Sequence, residues 1–248
     1  MHENIFSRNE LYWGEEKQNL LSGCHVAIFG LGGVGGYCAE ALARSGVGNL
    51  TIIDFDTVSK SNINRQLAAL HSTIGQKKTS LTENRLKDIN PNININLIDD
   101  FYNDKQTIDF LKNIDFVADA IDTMRSKIHL LTNCYKNNIP VISSMGAGNR
   151  IDPTMLYIAD LKDVENRNAP FVSNVIYQLK KKGITEGITF VCSRETPYAQ
   201  EKITEHENIL TKSGEKIEFN KIVPSSTPFV ASCSGIFMAS YIVRKLIS

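Results

Sequence analysis

Short apolar runs recur along the first 150 residues, and polar, helix-compatible stretches separate them. Such runs are typical of strands that a sheet buries on both faces. The predicted strands are residues 25–30, 50–54, 93–98, 115–120 and 140–144, and the predicted helices are residues 37–44, 76–89, 105–112 and 126–136. Because strands and helices alternate, the pattern predicts an α/β fold with a doubly wound, Rossmann-like and mostly parallel sheet.

The pattern weakens after residue 150. It predicts strands at 155–159 and 188–192, a helix at 171–182, a polar loop at 197–221 and an apolar helix at 229–246. We therefore expect one domain over residues 1–248, with a core of residues 1–150 and a substrate-side extension of residues 151–248. The extension is expected to add antiparallel strands and a terminal packing helix.

Composition and charge exclude several classes of protein. Hydrophobic residues make up 42% of the chain and charged residues 22%, which excludes a disordered or fibrous chain. Lysine plus arginine number 27 and aspartate plus glutamate number 27, so no global basic field attracts nucleic acid. The five cysteines form no C-x-x-C pair, which disfavours structural zinc.

The sequence predicts neither an export signal nor a membrane anchor. The N-terminus lacks a basic region followed by an apolar one, so we expect a cytoplasmic localisation. The uncharged stretch at 222–243 contains Pro224 and Pro228, and we interpret it as a buried loop and helix.

Residues 30–35, GLGGVG, satisfy the pattern G-x-G-x-x-G between a predicted strand and a predicted helix. Gly30, Gly32, Gly33 and Gly35 would permit a tight turn and let backbone N–H groups approach a phosphate. Asp54 ends the second strand, where a carboxylate can bind a ribose hydroxyl. The loop predicts a nucleotide-binding fold and leaves NAD, FAD and ATP open.

Charged residues further along the chain favour a triphosphate over NAD. Arg65 supplies a fork that grips phosphate oxygens, and Lys77 supplies a point charge. Asp119 or Asp122, at the end of the fourth strand, can hold magnesium, which takes one or two carboxylates plus phosphates. Further candidate binding residues in these segments are Asp56, Asn62, Gln66 and Thr123.

Six ordered motifs within residues 5–150 resemble those of the ubiquitin-activating-like adenylyltransferases: GLGGVG, LTIIDFDTV, SNINRQ, GQKK, INP and DAIDT. This superfamily includes the activators of molybdopterin-synthase and thiamine sulfur carriers. The resemblance implies an ATP-binding domain that uses magnesium. It also implies roles for individual residues: Gly33 beside the phosphates, Asp54 on the ribose, Asn62, Arg65 and Lys77 on the phosphates, and Asp122 on magnesium. Arg8 matches an arginine that reaches into the partner subunit's site, so the resemblance implies a homodimer.

Over nearly its full length the chain resembles one branch of this superfamily, the tRNA threonylcarbamoyladenosine dehydratases. GAGNRIDPT at 146–154 and VCSRE at 191–195 carry the resemblance. It implies ATP-dependent cyclisation of the threonylcarbamoyl group at position 37 of tRNA, through a carboxyl-adenylate, with release of AMP and pyrophosphate. A sulfur-carrier adenylyltransferase and an NAD-dependent oxidoreductase remain alternatives.

A tRNA partner calls for contacts to phosphates. The densest cationic run is Lys180–Lys182, which is either a solvated helix end or, with Arg150, Arg167 and Arg194, a phosphate-binding surface. We expect no DNA partner, and the sequence leaves a sulfurtransferase-type protein partner open. Cys192 lies in an apolar strand, so we interpret it as a buried, inert thiol rather than a nucleophile.

Overall fold

The computed structural model describes residues 4–105, 109–165, 169–198, 201, 203–211, 214 and 216–248. Two short helices, α1 (Ser7–Trp13) and α2 (Glu15–Gly23), precede the sheet. The first half continues with β1 (His25–Phe29), α3 (Gly35–Ser45), β2 (Asn49–Ile53), α4 (Lys78–Ile89), β3 (Asn94–Ile98), β4 (Phe116–Asp119), α5 (Met124–Lys136) and β5 (Val141–Ser144). The second half contains β6 (Leu156–Asp160), α6 (Pro170–Lys181), β7 (Thr189–Ser193), β8 (Ile203–Leu210), β9 (Lys216–Val223) and α7 (Pro228–Leu246).

Seven strands form one sheet in the order β3-β2-β1-β4-β5-β7-β6. All neighbouring strands are parallel except β6, which is antiparallel to β7. The chain passes from β1 to β2 and β3 on one side and then returns to β4 on the other side. A crevice therefore opens between the carboxyl ends of β1 and β4, where open α/β sheets bind ligands. The doubly wound fold predicted from the sequence is confirmed.

Helices cover both faces of the sheet. Ala27 and Phe29 of β1 belong to a buried cluster with α5 and α6, whereas Val26 and Ile28 belong to a second cluster with α3 and α7. Successive side chains of a strand point to opposite faces, so both sets must be apolar. This explains why the central strands appear in the sequence as continuous apolar runs.

Within the described part of the chain, α7 is the helix whose length and hydropathy would suffice to cross a membrane. Its Val230, Met238 and Ile242 are fully buried, and the helix packs along α3. Gly235 permits this contact, because a Cβ there would lie 2.2 Å from the carbonyl oxygen of Val34. The predicted packing helix is confirmed.

Two predicted elements differ from the structure. The helix predicted at 105–112 is a single 3₁₀ turn at Asp109–Leu111, and residues 106–108 lie outside the described residues. The loop predicted at 197–221 contains an antiparallel hairpin of β8 and β9. The sequence of these two strands is mostly polar and charged, so it lacks the apolar pattern that identified the other strands.

Gly35 allows α3 to pack closely on β1, since a Cβ at this position would lie 1.7 Å from the carbonyl oxygen of Gly30. We expect Gly35→Ala to lower the free energy of unfolding by about 2 kcal/mol, because backbone must move to relieve the overlap. Equilibrium urea denaturation measures this loss. Gly23→Ala is the control, because a Cβ at Gly23 meets nothing within 4 Å. Equal losses in both variants would contradict the packing argument.

Candidate nucleotide-binding site

A cavity of about 480 Å³ opens at the carboxyl ends of β1, β2 and β4. Ten of the residues that the sequence predicted line it: Gly30, Gly32, Gly33, Asp54, Asp56, Asn62, Arg65, Gln66, Asp122 and Thr123. Three others, Gly35, Lys77 and Arg8, are not among the lining residues. The structure thus brings most of the predicted site together and places three residues elsewhere.

The glycines of the loop after β1 serve different purposes. Gly30 has a φ of +86°, and a Cβ there would lie 2.9 Å from the carbonyl oxygen of Ala120 at the end of β4. Gly33 lies against Arg65, because a Cβ at Gly33 would lie 3.3 Å from the Cγ of Arg65. Gly35 lies behind the cavity and packs α3 on β1, so its role is structural. The loop places the N-terminus of α3 at the cavity, where its partial positive charge favours an anion.

Asp54 ties the end of β2 to the glycine loop. Its carboxylate is buried and accepts the N–H of Leu31 at 2.6 Å and the N–H of Asp56 at 2.8 Å. Burial raises the pKa of this carboxyl group, and the charge of Lys78 acts against the shift. Asp54 therefore shapes the loop while its side chain borders the cavity. Its contact with a ribose stays a prediction.

Two hydrogen bonds fix the side chain of Arg65 at the edge of the cavity. Its Nη1 donates to the carbonyl oxygen of Ser61 and to Oδ1 of Asn64, both at 2.9 Å. Burial lowers the pKa of the guanidinium, and the negative charge of Asp122 opposes that shift. Asn62 and Gln66 are buried beside it and line the same wall. This preorganised wall presents a fixed cation and amide groups to a ligand.

The cavity contains Lys78 rather than the predicted Lys77. The Nζ of Lys77 donates to the carbonyl oxygen of Phe55 at 3.1 Å and lies 3.3 Å from Oδ1 of Asp99. Lys78 has a side chain that is 5% exposed, and its Nζ bonds Oδ2 of Asp56 at 2.7 Å. Lys77 has an extended backbone just before α4, and adjacent side chains of an extended segment point to opposite sides. Lys78 is therefore the lysine that lines the cavity, and a phosphate contact of Lys77 stays a prediction.

Two aspartates follow β4 with different environments. Asp119 is fully buried, and its carboxylate accepts hydrogen bonds from Lys127 Nζ at 2.5 Å, Ser143 Oγ at 2.6 Å and the N–H of Ile121 at 3.0 Å. This buried ion pair fixes the loop that follows. Asp122 is exposed at the cavity, next to Thr123 at the start of α5. Of the two candidates for magnesium, only Asp122 faces the cavity.

An aromatic wall of the cavity was not predicted from the sequence. Phe55 is half-buried at the cavity, and the buried rings of Phe29, Phe101 and Tyr102 lie behind it. Phe29 packs edge-on against Tyr102 and Phe55 against Phe101, each pair with ring centroids 4.9 Å apart. An apolar wall beside a cluster of cations suits a ligand with a flat base and phosphates. The available signal was an aromatic pair directly after β3, at the same edge as the glycine loop.

Arg8 lies far from the cavity of its own chain. Its neighbour Asn9 donates from Nδ2 to the carbonyl oxygen of Arg44 at 2.9 Å, near the C-terminal end of α3. The glycine loop lies at the other end of this helix, about 16 Å away at 1.5 Å per residue. Arg8 is exposed, and an arginine side chain is too short to span that distance.

The predicted cationic surface does not converge on the cavity. Lys180–Lys182 are exposed at the end of α6, which leads into the start of β7 and therefore lies at the opposite edge of the sheet. Arg194 pairs with Glu165 through two hydrogen bonds, at 2.7 and 2.9 Å. Arg150 is 6% exposed and donates to carbonyl oxygens, while Arg167 lies outside the described residues. The helix-end interpretation of the lysines is favoured.

The thiols take no part in the site. Cys192 is 3% exposed, and burial raises its pKa to about 12, so it carries no thiolate at neutral pH. The interpretation of Cys192 as a buried, inert thiol is confirmed. None of the five cysteines, all within the described ranges, lines the cavity.

Fold and site together define a doubly wound nucleotide-binding protein whose glycine loop, Arg65 and Lys78 line one cavity. Residues 6–244 match the model of the ThiF family, and the chain belongs to this family. It is similar to the tRNA threonylcarbamoyladenosine dehydratase of Bacillus subtilis, with 42% identity over 98% of this chain and 94% of that protein.

Solved structures also show similarity to a dehydratase. The E. coli tRNA N6-threonylcarbamoyladenosine dehydratase, TcdA, in complex with ATP has a TM-score of 0.82 and 29% identity, and the match covers 98% of this chain and 93% of that chain. The molybdopterin-synthase adenylyltransferase of E. coli is 36% identical, but the match covers only 54% of this chain and 53% of that protein. The similarity to dehydratases thus extends over almost the whole chain, and the similarity to this sulfur-carrier activator over about half.

Substitution of the two adjacent lysines tests the assignment of the phosphate contact. We expect Lys78→Met to weaken ATP binding by about tenfold or more, because a charge-assisted contact is lost. Lys77→Met, the matched control, should bind ATP within about twofold of the wild-type protein, since its Nζ is directed at Asp99. Isothermal titration calorimetry measures both affinities. A larger loss in the Lys77 variant would reinstate the sequence prediction.

Proposed function

We propose that this protein is an ATP-dependent tRNA threonylcarbamoyladenosine dehydratase. It activates the threonine carboxylate of the modified adenosine as an acyl-adenylate with release of pyrophosphate, and then closes a ring with release of AMP. The similarity to dehydratases over almost the full chain supports tRNA that carries threonylcarbamoyladenosine as the acceptor. The cavity is lined by the glycine loop and Arg65, and this lining supports a nucleoside triphosphate as the ligand.

Different residues of the cavity bind different parts of the ATP molecule. The aromatic wall receives the base, and Asp54 borders the ribose. The N–H groups of the glycine loop, with Asn62, Arg65 and Lys78, hold the phosphates. When the threonine carboxylate attacks the α-phosphorus, negative charge develops on the transferred and leaving groups. Preorganised cations in a partly buried site stabilise that charge.

The residues around Asp122 fit a magnesium ion. Magnesium usually takes one or two carboxylates and completes its shell with water and substrate phosphates. Asp122 supplies one carboxylate at the cavity, and the Thr123 hydroxyl is an adjacent oxygen. The described residues contain no cluster of three acidic, histidine or cysteine ligands, so the donor set suits an ion shared with phosphates. Bound there, magnesium would neutralise phosphate charge.

Ring closure needs no nucleophile from the protein. A nitrogen or oxygen of the threonylcarbamoyl group attacks the activated carbonyl carbon, and AMP leaves with the bonding electrons. The absence of a reactive thiol from the cavity agrees with this second step. A sulfurtransferase-type partner and a cytoplasmic localisation stay predictions from the sequence.

A homodimer would explain the position of Arg8. This side chain cannot reach its own cavity, so a contribution to catalysis requires the cavity of a second copy. Exposed apolar side chains flank it on α1 and α2: Leu11 is 62% exposed, Tyr12 87% and Leu20 51%. Such a patch favours burial against another chain. We propose that two copies pair through this region and exchange Arg8.

An assay of AMP release tests the function directly. With ATP, magnesium and tRNA that carries threonylcarbamoyladenosine, we expect AMP, together with a nucleoside lighter by one water in mass spectrometry. The same tRNA without the modification, and a carrier protein that ends in Gly-Gly, are the controls. Asp122→Ala should lower the rate about 100-fold or more. AMP formed with the carrier protein and not with the modified tRNA would instead support a sulfur-carrier adenylyltransferase.

Mixing two inactive variants tests the shared site. Arg8→Ala and Asp122→Ala should each be inactive alone, because each removes a charge from every site. After subunit exchange, a mixed dimer has one site with both defects and one site with neither, so part of the activity should return. Exchange is verified with differently tagged chains. If exchange occurs without recovery, Arg8 does not act in the partner's site.

A further inference from the structure

One residue outside the nucleotide site, Asn149, fixes both ends of the hairpin segment. Its N–H donates to the carbonyl oxygen of Ser225, and its carbonyl oxygen accepts the N–H of Tyr198, both at 2.7 Å. The Oδ1 of Asn149 accepts hydrogen bonds from the N–H of Ser225 at 2.8 Å and from the Oγ of Ser225 at 3.0 Å. The chain enters the hairpin segment after Tyr198 and leaves it at Ser225. Asn149 therefore clamps the entry to the exit.

The backbone around Asn149 is itself held in place. Asn149 has a φ of +61°, which asparagine tolerates better than most residues. The buried guanidinium of Arg150 donates to the carbonyl oxygen of Gly146 at 2.5 Å. The carboxylate of Glu195 accepts the N–H groups of Ile151 and Asp152 at 3.0 and 2.9 Å. The GAGNRIDPT and VCSRE segments thus form one network that supports the clamp.

The clamped hairpin forms a wall of the nucleotide cavity. Glu205 of β8 and the segment after β9, with Pro224 and Ser226, line it. Gly148 approaches this wall so closely that a Cβ there would lie 2.6 Å from the Cβ of Pro224. The groups assigned to ATP all lie on the other walls. The hairpin wall is therefore free of the residues assigned to ATP.

A second asparagine joins the hairpin to the phosphate wall. The Nδ2 of Asn64 donates to the carbonyl oxygen of Ser226 at 2.8 Å. Its Oδ1 accepts from Arg65 Nη1 at 2.9 Å. The base of the hairpin is thus attached to the phosphate side through Asn64 and to the opposite side through Asn149. These two attachments are separable by mutation.

We propose that Asn149 is a positioning residue that holds the β8–β9 hairpin as the acceptor wall, against which the modified anticodon loop of the tRNA binds. The proposal rests on the proposed function, which supplies the identity of the acceptor. Asn149 is not among the residues that line the cavity. It acts through Tyr198 and Ser225, so its loss affects the acceptor and leaves the nucleotide unaffected.

Steady-state kinetics of Asn149→Ala test the proposal. We expect the KM for modified tRNA to rise about tenfold, since the two hydrogen bonds that the Asn149 Oδ1 accepts from Ser225 are lost while the backbone contacts remain, and the KM for ATP to stay within about twofold. Asn149→Gly is the second variant: it keeps the positive φ and removes only the side-chain acceptor, so the same split should appear in a chain free of strain. Asn149→Asp retains the acceptor oxygen and should restore the KM for tRNA.

Asn138→Ala is the matched control. Asn138 also has a positive φ, +53°, but it lies after α5 at the opposite edge of the sheet. Its substitution should leave both KM values unchanged. If Asn149→Ala and Asn149→Gly leave the KM for tRNA unchanged, or raise both KM values equally, the positioning role is overturned. A wild-type protein that releases no AMP with modified tRNA would instead overturn the proposed function.

Discussion

The close contact between α3 and the first strand is the constraint on which the site depends. Gly35 lets the helix approach the carbonyl oxygen of Gly30, and Gly235 lets α7 approach α3 from the other side. A helix confined between the sheet and α7 has little freedom to shift. Its N-terminus is therefore fixed at the crevice between β1 and β4. The positive end of the helix dipole then favours an anion at that place.

Burial decides what each carboxylate at this edge of the sheet does. Asp119 pairs with Lys127 in the interior, where an unpaired charge would be strongly destabilising. Asp54 is buried but holds backbone N–H groups of the glycine loop and its own strand end. Asp122 alone of the three is exposed to the cavity. Two carboxylates thus hold the loops, and the third lies at the cavity.

The sequence was sufficient for features that one local pattern determines. Buried parallel strands give apolar runs, and a loop that approaches phosphate requires glycine, so the core strands and the loop at Gly30 were predictable. The choice between Lys77 and Lys78 was not, because it depends on where α4 begins. The β8–β9 hairpin was missed since its strands are polar. The buried Lys127, which pairs with Asp119, also donates to Ser143. Ser143 is distant in sequence, so no local pattern reveals that contact.

A chain without net charge has to bind a polyanion through shape more than through its field. Strands of five residues make the sheet about 17 Å deep, so Lys180–Lys182 at its far edge cannot touch a base held at the cavity. Arg194 and Arg150 use part of their hydrogen-bonding groups on Glu165 and on backbone carbonyls. The proposed acceptor wall would therefore add recognition through its geometry. Contacts to backbone phosphates, where they occur, position the RNA without selecting the modified base. A hydrogen-bonded clamp suits such a site, because shape selects a substrate only where the wall is rigid.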